Sequence, residues 1–261
     1  MNIPIEWAVP QVLAFVLVVA RLSGLFLLAP VFSSKQIPGR IKVMSLLVLA
    51  LTMVPVVATG NTAEIPDSGI ALALLVGKET MIGLALGFAV SIIFTAVQVA
   101  ASFIDTSMGF SMANLIDPMS GSQGAVFGSF YSIVATLSFL AVNGHHWMLV
   151  GFTRSFSVIG ITDYPKFQQL FGNAMNIFSQ LFVMAFQIAA PILVTLLLVD
   201  VVLGIVARVV PQMNVFFVGI PLKVGVGFAA IIISLPTFVH FFEGRISDII
   251  SGASVLAGTV S

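Results

Sequence analysis

Six long apolar runs, at about 8–32, 41–59, 69–104, 125–152, 174–204 and 214–242, leave this chain few choices of fold. Each can form a helix long enough to cross a bilayer, for which about 20 residues suffice. The connections are short, and SSKQIPGR (33–40), TGNTAEIPDSG (59–69) and ITDYPKFQ (161–168) supply the Pro, Gly and Asp that end helices. The expected fold class is all-α, an integral membrane-type bundle of about six long, partly kinked helices. Apolar residues make up 59% of the chain and charged residues 8%, with a mean hydropathy of +1.16, which is the composition of a membrane polypeptide. The runs follow one another too closely for a separate soluble domain, so residues 1–261 are expected to form one integral unit. The N-terminus MNIPIEWAVP has no Arg or Lys before its apolar run and carries Glu6, so a cleaved signal peptide is not expected.

Charge constrains the partners. Lys plus Arg equals Asp plus Glu at ten each, so no basic tract suggests nucleic acid or anionic lipid. Alternating spans put Lys35, Arg40, Lys42 and Arg208 on one side and Arg154, Lys166 and Arg245 on the other, a balance that fixes no orientation. The third run is too long for a simple span and carries Lys78 and Glu79 in its first third, so it is expected to be bent, tilted or partly outside lipid. Arg21, Asp200 and Lys223 also fall within apolar runs, where an ionisable group costs about 3 kcal/mol unless it faces protein or water. Snorkelling and structural ion pairing are the ordinary explanations. Lys78 and Glu79 point about 100° apart on a helix and are not expected to face each other. Asp200 and Arg208 share one helical face two turns apart, too far to touch, so each is expected to pair with another helix.

Catalysis finds little support. The chain has no cysteine, which removes disulfides, thiol nucleophiles and thiolate metal sites. GFSMA (109–113) superficially resembles the nucleophile elbow G-x-S-x-G, but Ala113 stands at its last position and no strand precedes it. His145 and His146 are adjacent rather than four apart, unlike a helical zinc pair. NGHHWM is better read as the interfacial end of a helix with Trp147 as anchor. Asp105 and Asp117 lie 12 residues apart on an expected loop, where capping accounts for Asp105 and an Asp-Pro turn for Asp117. No cofactor, metal or catalytic residue is expected. Small-residue spacing points instead to close helix packing: Gly83 and Gly87 form G-x-x-x-G, as do Gly124 and Gly128. Pro191, Pro221 and Pro236 imply kinks or breaks in the last two runs.

Residues 184–250, with VLGIVARVVPQMNVFFVGIPLKVGVG at their core, resemble the end of the FliR family, the R subunit of the flagellar type III protein export gate. RLSGLFLLAPVFSSKQIPGRIKV (21–43), KETMIGLALGF (78–88) and LAVNGHHW (140–147) are similar to the same family in the same order. The resemblance implies a noncatalytic subunit that assembles with FliP-type and FliQ-type subunits into a closed pore for unfolded flagellar export substrates. FlhB-type and FlhA-type components and membrane lipid are implied as further partners, at the bacterial inner membrane in the flagellar basal body. It also implies a P-subunit-like part over 1–173 and a Q-subunit-like helical hairpin over 174–261. A homologous R-like subunit of a virulence injectisome is the alternative. A secondary transporter is a weaker one, because no matched inverted halves are visible.

The stretch DTSMGFSMANLIDPMSGSQG (105–124) is long for a connection without evident secondary structure, a length more often functional. Its methionines are deformable and its glycines supply backbone freedom. By resemblance, residues 106–122 are the plug of the closed channel. Met108, Phe110, Met112, Leu115, Ile116 and Met119 would then fill the pore, while Gly109 and Pro118 shape the bend. The plainer alternative is an apolar loop packed on the chain's own helices.

Overall fold

A computed structural model describes residues 5–34, 37–58, 68–110, 126–161, 167–212 and 214–256. Among them are eight helices and no strand: α1 (Ile5–Leu28), α2 (Pro30–Ser33), α3 (Gly39–Ala58), α4 (Gly69–Met108), α5 (Val126–Ala141), α6 (Gly144–Val158), α7 (Phe167–Val209) and α8 (Val215–Leu256). Four stretches, Gln11–Leu28, Gly69–Met108, Gly172–Val209 and Phe217–Ile246, are long and apolar enough to cross a membrane. The all-α membrane-type bundle is therefore what the chain forms.

Two of the apolar runs are broken. The first ends at Ala29, which is extended (φ −65°, ψ 120°), because a residue before proline is forced out of the helical region; Pro30 then opens α2. The fourth turns at Val142–Asn143, where Asn143 takes φ 56° and Gly144 starts the next helix. Asn is among the few residues that tolerate this left-handed conformation. NGHHWM is thus the start of a helix and not the end of one, since α5 stops at Ala141 and Asn143 stands at the N-cap of α6; Trp147 is exposed. The last two runs extend beyond their apolar limits, and their helices continue through Pro191, Pro221 and Pro236.

Length sets a constraint of its own. The 40, 43 and 42 residues of α4, α7 and α8 rise about 1.5 Å each, giving helices of about 60 Å or more against a hydrocarbon core of about 30 Å. None can lie wholly within that layer unless it tilts by about 60° or more from the bilayer normal.

By contact density the chain divides into two compact units. The first comprises Met1–Ile92, Asn143–Phe178 and Ile246–Ser261. In it α1 packs on α2 and α3, and α3 meets α6. The crossing of α1 and α4 is made by glycines: a Cβ on Gly24 would collide with the Thr80 carbonyl, and one on Gly83 with the carbonyl of Arg21. A Cβ on Gly87 would lie 2.8 Å from the Leu25 oxygen. The Gly83/Gly87 spacing therefore does what small-residue motifs do in lipid, bringing two backbones together. Gly124 of the second spacing lies outside the described residues. Leu17, Leu22, Leu25 and Phe152 fill this core.

The second unit comprises Ile93–Val142 and Ser179–Arg245. Its core is aromatic: Phe94 lies edge-on to both Phe139 and Phe242 at 5.6 Å, and Tyr131 meets Phe238 at 5.1 Å. Such edge-to-face pairs add about 0.5–1.5 kcal/mol each beyond area burial.

Candidate functional site

The charged residues of the apolar runs fall into two groups. In the first unit the α1–α4 crossing places Arg21 beside Glu79, with Nε 2.5 Å from Oε2 and both side chains fully buried. The rest of the guanidinium is occupied: Nη1 donates to Ser155 Oγ at 3.0 Å and Nη2 to the Ile159 carbonyl at 3.1 Å. The Phe156 ring lies 3.6 Å below its carbon. Lys78 Nζ donates to the Ile161 carbonyl at 2.5 Å and lies 3.2 Å from Glu79 Oε1.

Lys78 and Glu79 thus do meet, against the expectation from their helical angles. The angle fixes where the Cβ atoms point, whereas a four-carbon stem can swing back toward a shared acceptor. Nor does Arg21 snorkel: its charge is matched within the chain. With Glu79 holding both cations and two backbone carbonyls just beyond α6 as acceptors, the cluster fastens α1, α4 and the end of α6 together. Ser155, Phe156 and the carbonyls of Ile159 and Ile161 complete it, and no local sequence signal marks them for that task.

The second group lies in the second unit. Asp200 on α7 and Lys223 on α8 pair at 2.5 Å, with side chains 53% and 22% exposed. They stand at a cavity of about 510 Å³ lined also by Leu203, Gly204, Gly219 and the end of α4. Arg208 is exposed in the last turn of α7, where a cation complements the helix dipole.

At this cavity begins the segment 106–122. Helix α4 ends in a Schellman motif: Gly109 has φ 91°, its N–H donates to the Thr106 carbonyl at 3.2 Å, and the Phe110 N–H donates to the Asp105 carbonyl at 3.0 Å. Gly109 is one of the few positions where glycine is required by backbone conformation. Met108 is fully buried and sits in the notch left by Gly227 of α8, where a Cβ would come within 2.5 Å of its terminal methyl. Phe110 lies edge-on to Phe127 at 5.7 Å, and Phe127 to Phe228 at 5.3 Å. Gly227 was not legible as a partner, since G-V-G at 225–227 is unremarkable in so apolar a helix. Met112, Leu115, Ile116, Pro118 and Met119 lie outside the described residues.

Asp105, expected to act as a cap, accepts a hydrogen bond at Oδ1 from the Phe127 N–H at 3.3 Å. It caps another helix, α5, rather than its own. Among the described residues no group of three His, Asp or Glu side chains could hold a metal.

A profile of the family described as bacterial export proteins, family 1, matches residues 12–249. The chain is 39% identical over 225 residues to the flagellar biosynthetic protein FliR of Bacillus subtilis (strain 168), covering 85% of this chain and 86% of that one. To the protein of the same name from Escherichia coli (strain K12) it is 28% identical over 229 residues, covering 88% and 87%. It is also similar to the Yop proteins translocation protein T of Yersinia pestis, 30% identical over 223 residues and 81% of each chain.

Proposed function

This chain belongs to the bacterial export proteins, family 1, and on that premise we propose that it is the R subunit of a flagellar type III export gate. The observation that carries this reading is the family match over nearly the whole chain. The subunit is noncatalytic and assembles with FliP-type and FliQ-type subunits in the bacterial inner membrane at the flagellar basal body, where FlhB-type and FlhA-type components join it. Its cargo is unfolded flagellar protein. Residues 1–173 act as the P-like part and 174–261 as the Q-like hairpin. Leu197, Leu198, Val201, Phe217, Ile232 and Ile233 of the hairpin are all exposed, an apolar surface open to lipid and to partner subunits alike. Support for an assembled state comes from the helices of about 60 Å, because lipid alone does not cover them when they stand upright.

Co-expression with P- and Q-type proteins, detergent extraction and native mass spectrometry test the assembly. A stable mixed complex is expected, and a chain that ignores both partners overturns the reading. The similarity to a Yop translocation protein favours one second reading, a virulence injectisome subunit. Restored swimming in a flagellated strain lacking its own R subunit separates the two.

Residues 106–122 plug the closed channel. What supports this reading is the family match over 12–249; the segment leaves α4 through a glycine turn, and the packing of Met108 and Phe110 on the chain's own second unit suits the plainer alternative equally. Deleting 107–122 is expected to make membranes carrying the assembled gate leak small solutes. A tight membrane with normal export after this deletion would remove the plug role.

A further inference from the structure

Asp105 occupies a position that is unfavourable on two counts. It is 5% exposed, and it lies in the last turn of α4, the end that carries partial negative charge. Part of its compensation comes from the N-terminal end of α5, where the Phe127 N–H is among the first-turn donors that no helical carbonyl can accept from. The same residue holds the other side as well, since its main-chain carbonyl accepts the Phe110 N–H. One aspartate therefore grips residues 110 and 127 at once. The rings of those two residues lie edge-on, and Met108 is locked into Gly227 immediately beside them.

We infer that Asp105 is the positioning residue for the root of the plug: its carboxylate joins the end of α4 to the start of α5 and fixes where the segment between them leaves and returns. The inference rests on the plug role proposed for that segment. An apolar residue at 105 would suit the burial better, but it would leave the α5 amide without its acceptor.

The test uses Asp105→Ala and Asp105→Asn in the assembled gate, read by amide hydrogen exchange over the first turn of α5 and by solute leak. Asp105→Ala is expected to speed exchange at Phe127 about tenfold, the factor that follows from losing a hydrogen bond to a charged acceptor. Leak should rise with it at unchanged complex mass. Asp105→Asn keeps an acceptor oxygen and should stay within about threefold of the parent in exchange, with a correspondingly small leak. Parent-like exchange in Asp105→Ala overturns the inference. So does a tight Asp105→Ala gate when the 107–122 deletion leaks. A gate that stays tight after both changes sinks the plug role itself, and the positioning role with it. Where Asp105→Ala does not assemble, Asp105→Asn decides: assembly with the intermediate phenotype supports positioning, whereas failure of both variants marks a plain folding requirement.

Discussion

Two of the ion pairs among the described residues have the same length and opposite character. Arg21–Glu79 is fully buried, and its remaining donors end on protein groups. Asp200–Lys223 is half open, beside a cavity. Their surroundings differ in the same sense. In 18-residue stretches of Gln11–Leu28 and Gly69–Met108, 56% and 61% of the residues are buried by the chain itself, against 28% and 17% in stretches of equal length within Gly172–Val209 and Phe217–Ile246. These two early spans are covered more by the chain itself, although Ile70 and Leu74 at the start of α4 and Val48 and Leu51 of α3 are exposed, and the late hairpin leaves most of its surface to lipid or other chains. Each pair can be used to probe its region.

The largest effect is expected at the glycine crossing. Gly83→Val drives a side chain into the Arg21 carbonyl, separates α1 from α4 and should abolish accumulation of the chain, with or without partners. Next is the buried pair itself. Arg21→Ala leaves Glu79 with only Lys78 and should destabilise the subunit by about 3–5 kcal/mol, read as a lowered thermal midpoint in detergent. The lowering should be as large for the isolated chain as for the complex. If it appeared only in the complex, the idea that the chain alone completes this charge cluster would fail. The double change Arg21→Met with Glu79→Met should recover much of the loss, because apolar replacement of a buried pair is often neutral.

A smaller effect is expected at the plug root. Gly227→Ala displaces the methyl of Met108, the movable end of a flexible side chain, so the destabilisation should be about 1 kcal/mol, at the low end for overpacking. Its sharper readout is leak through the gate. The smallest effect belongs to Lys223→Gln, about 0–1 kcal/mol for a pair this exposed, with assembly by native mass spectrometry intact. A large loss there would mean that Asp200 and Lys223 are buried by another chain, and would sharpen the contrast by moving it to the interface.

Much of this could be read in advance, and the misses have identifiable physics. Hydropathy marked the long helices, and Gly83 and Gly87 announced a close crossing through spacing alone. Boundaries suffered where helices run on past apolar sequence: FQQLFGN at 167–173 is polar enough to look like a connection but is the first part of α7. The break at Asn143 leaves no trace in hydropathy, which is blind to one residue with positive φ. The Lys78–Glu79 contact depends on the bend of a flexible stem, which helical angles do not contain. Partners 22 residues away, like Asp105 and Phe127, or 134 away, like Arg21 and Ser155, are set by tertiary structure and leave no local trace.

The length of α8 has a practical consequence. Its 42 residues extend about 63 Å, so a detergent belt matched to a hydrocarbon layer of about 30 Å wets only half of it. An isolated copy must recruit a second collar of amphiphile, associate with its own kind, or precipitate. The amount of detergent bound per chain should therefore fall as partners join, and the point at which it stops falling marks the complete assembly.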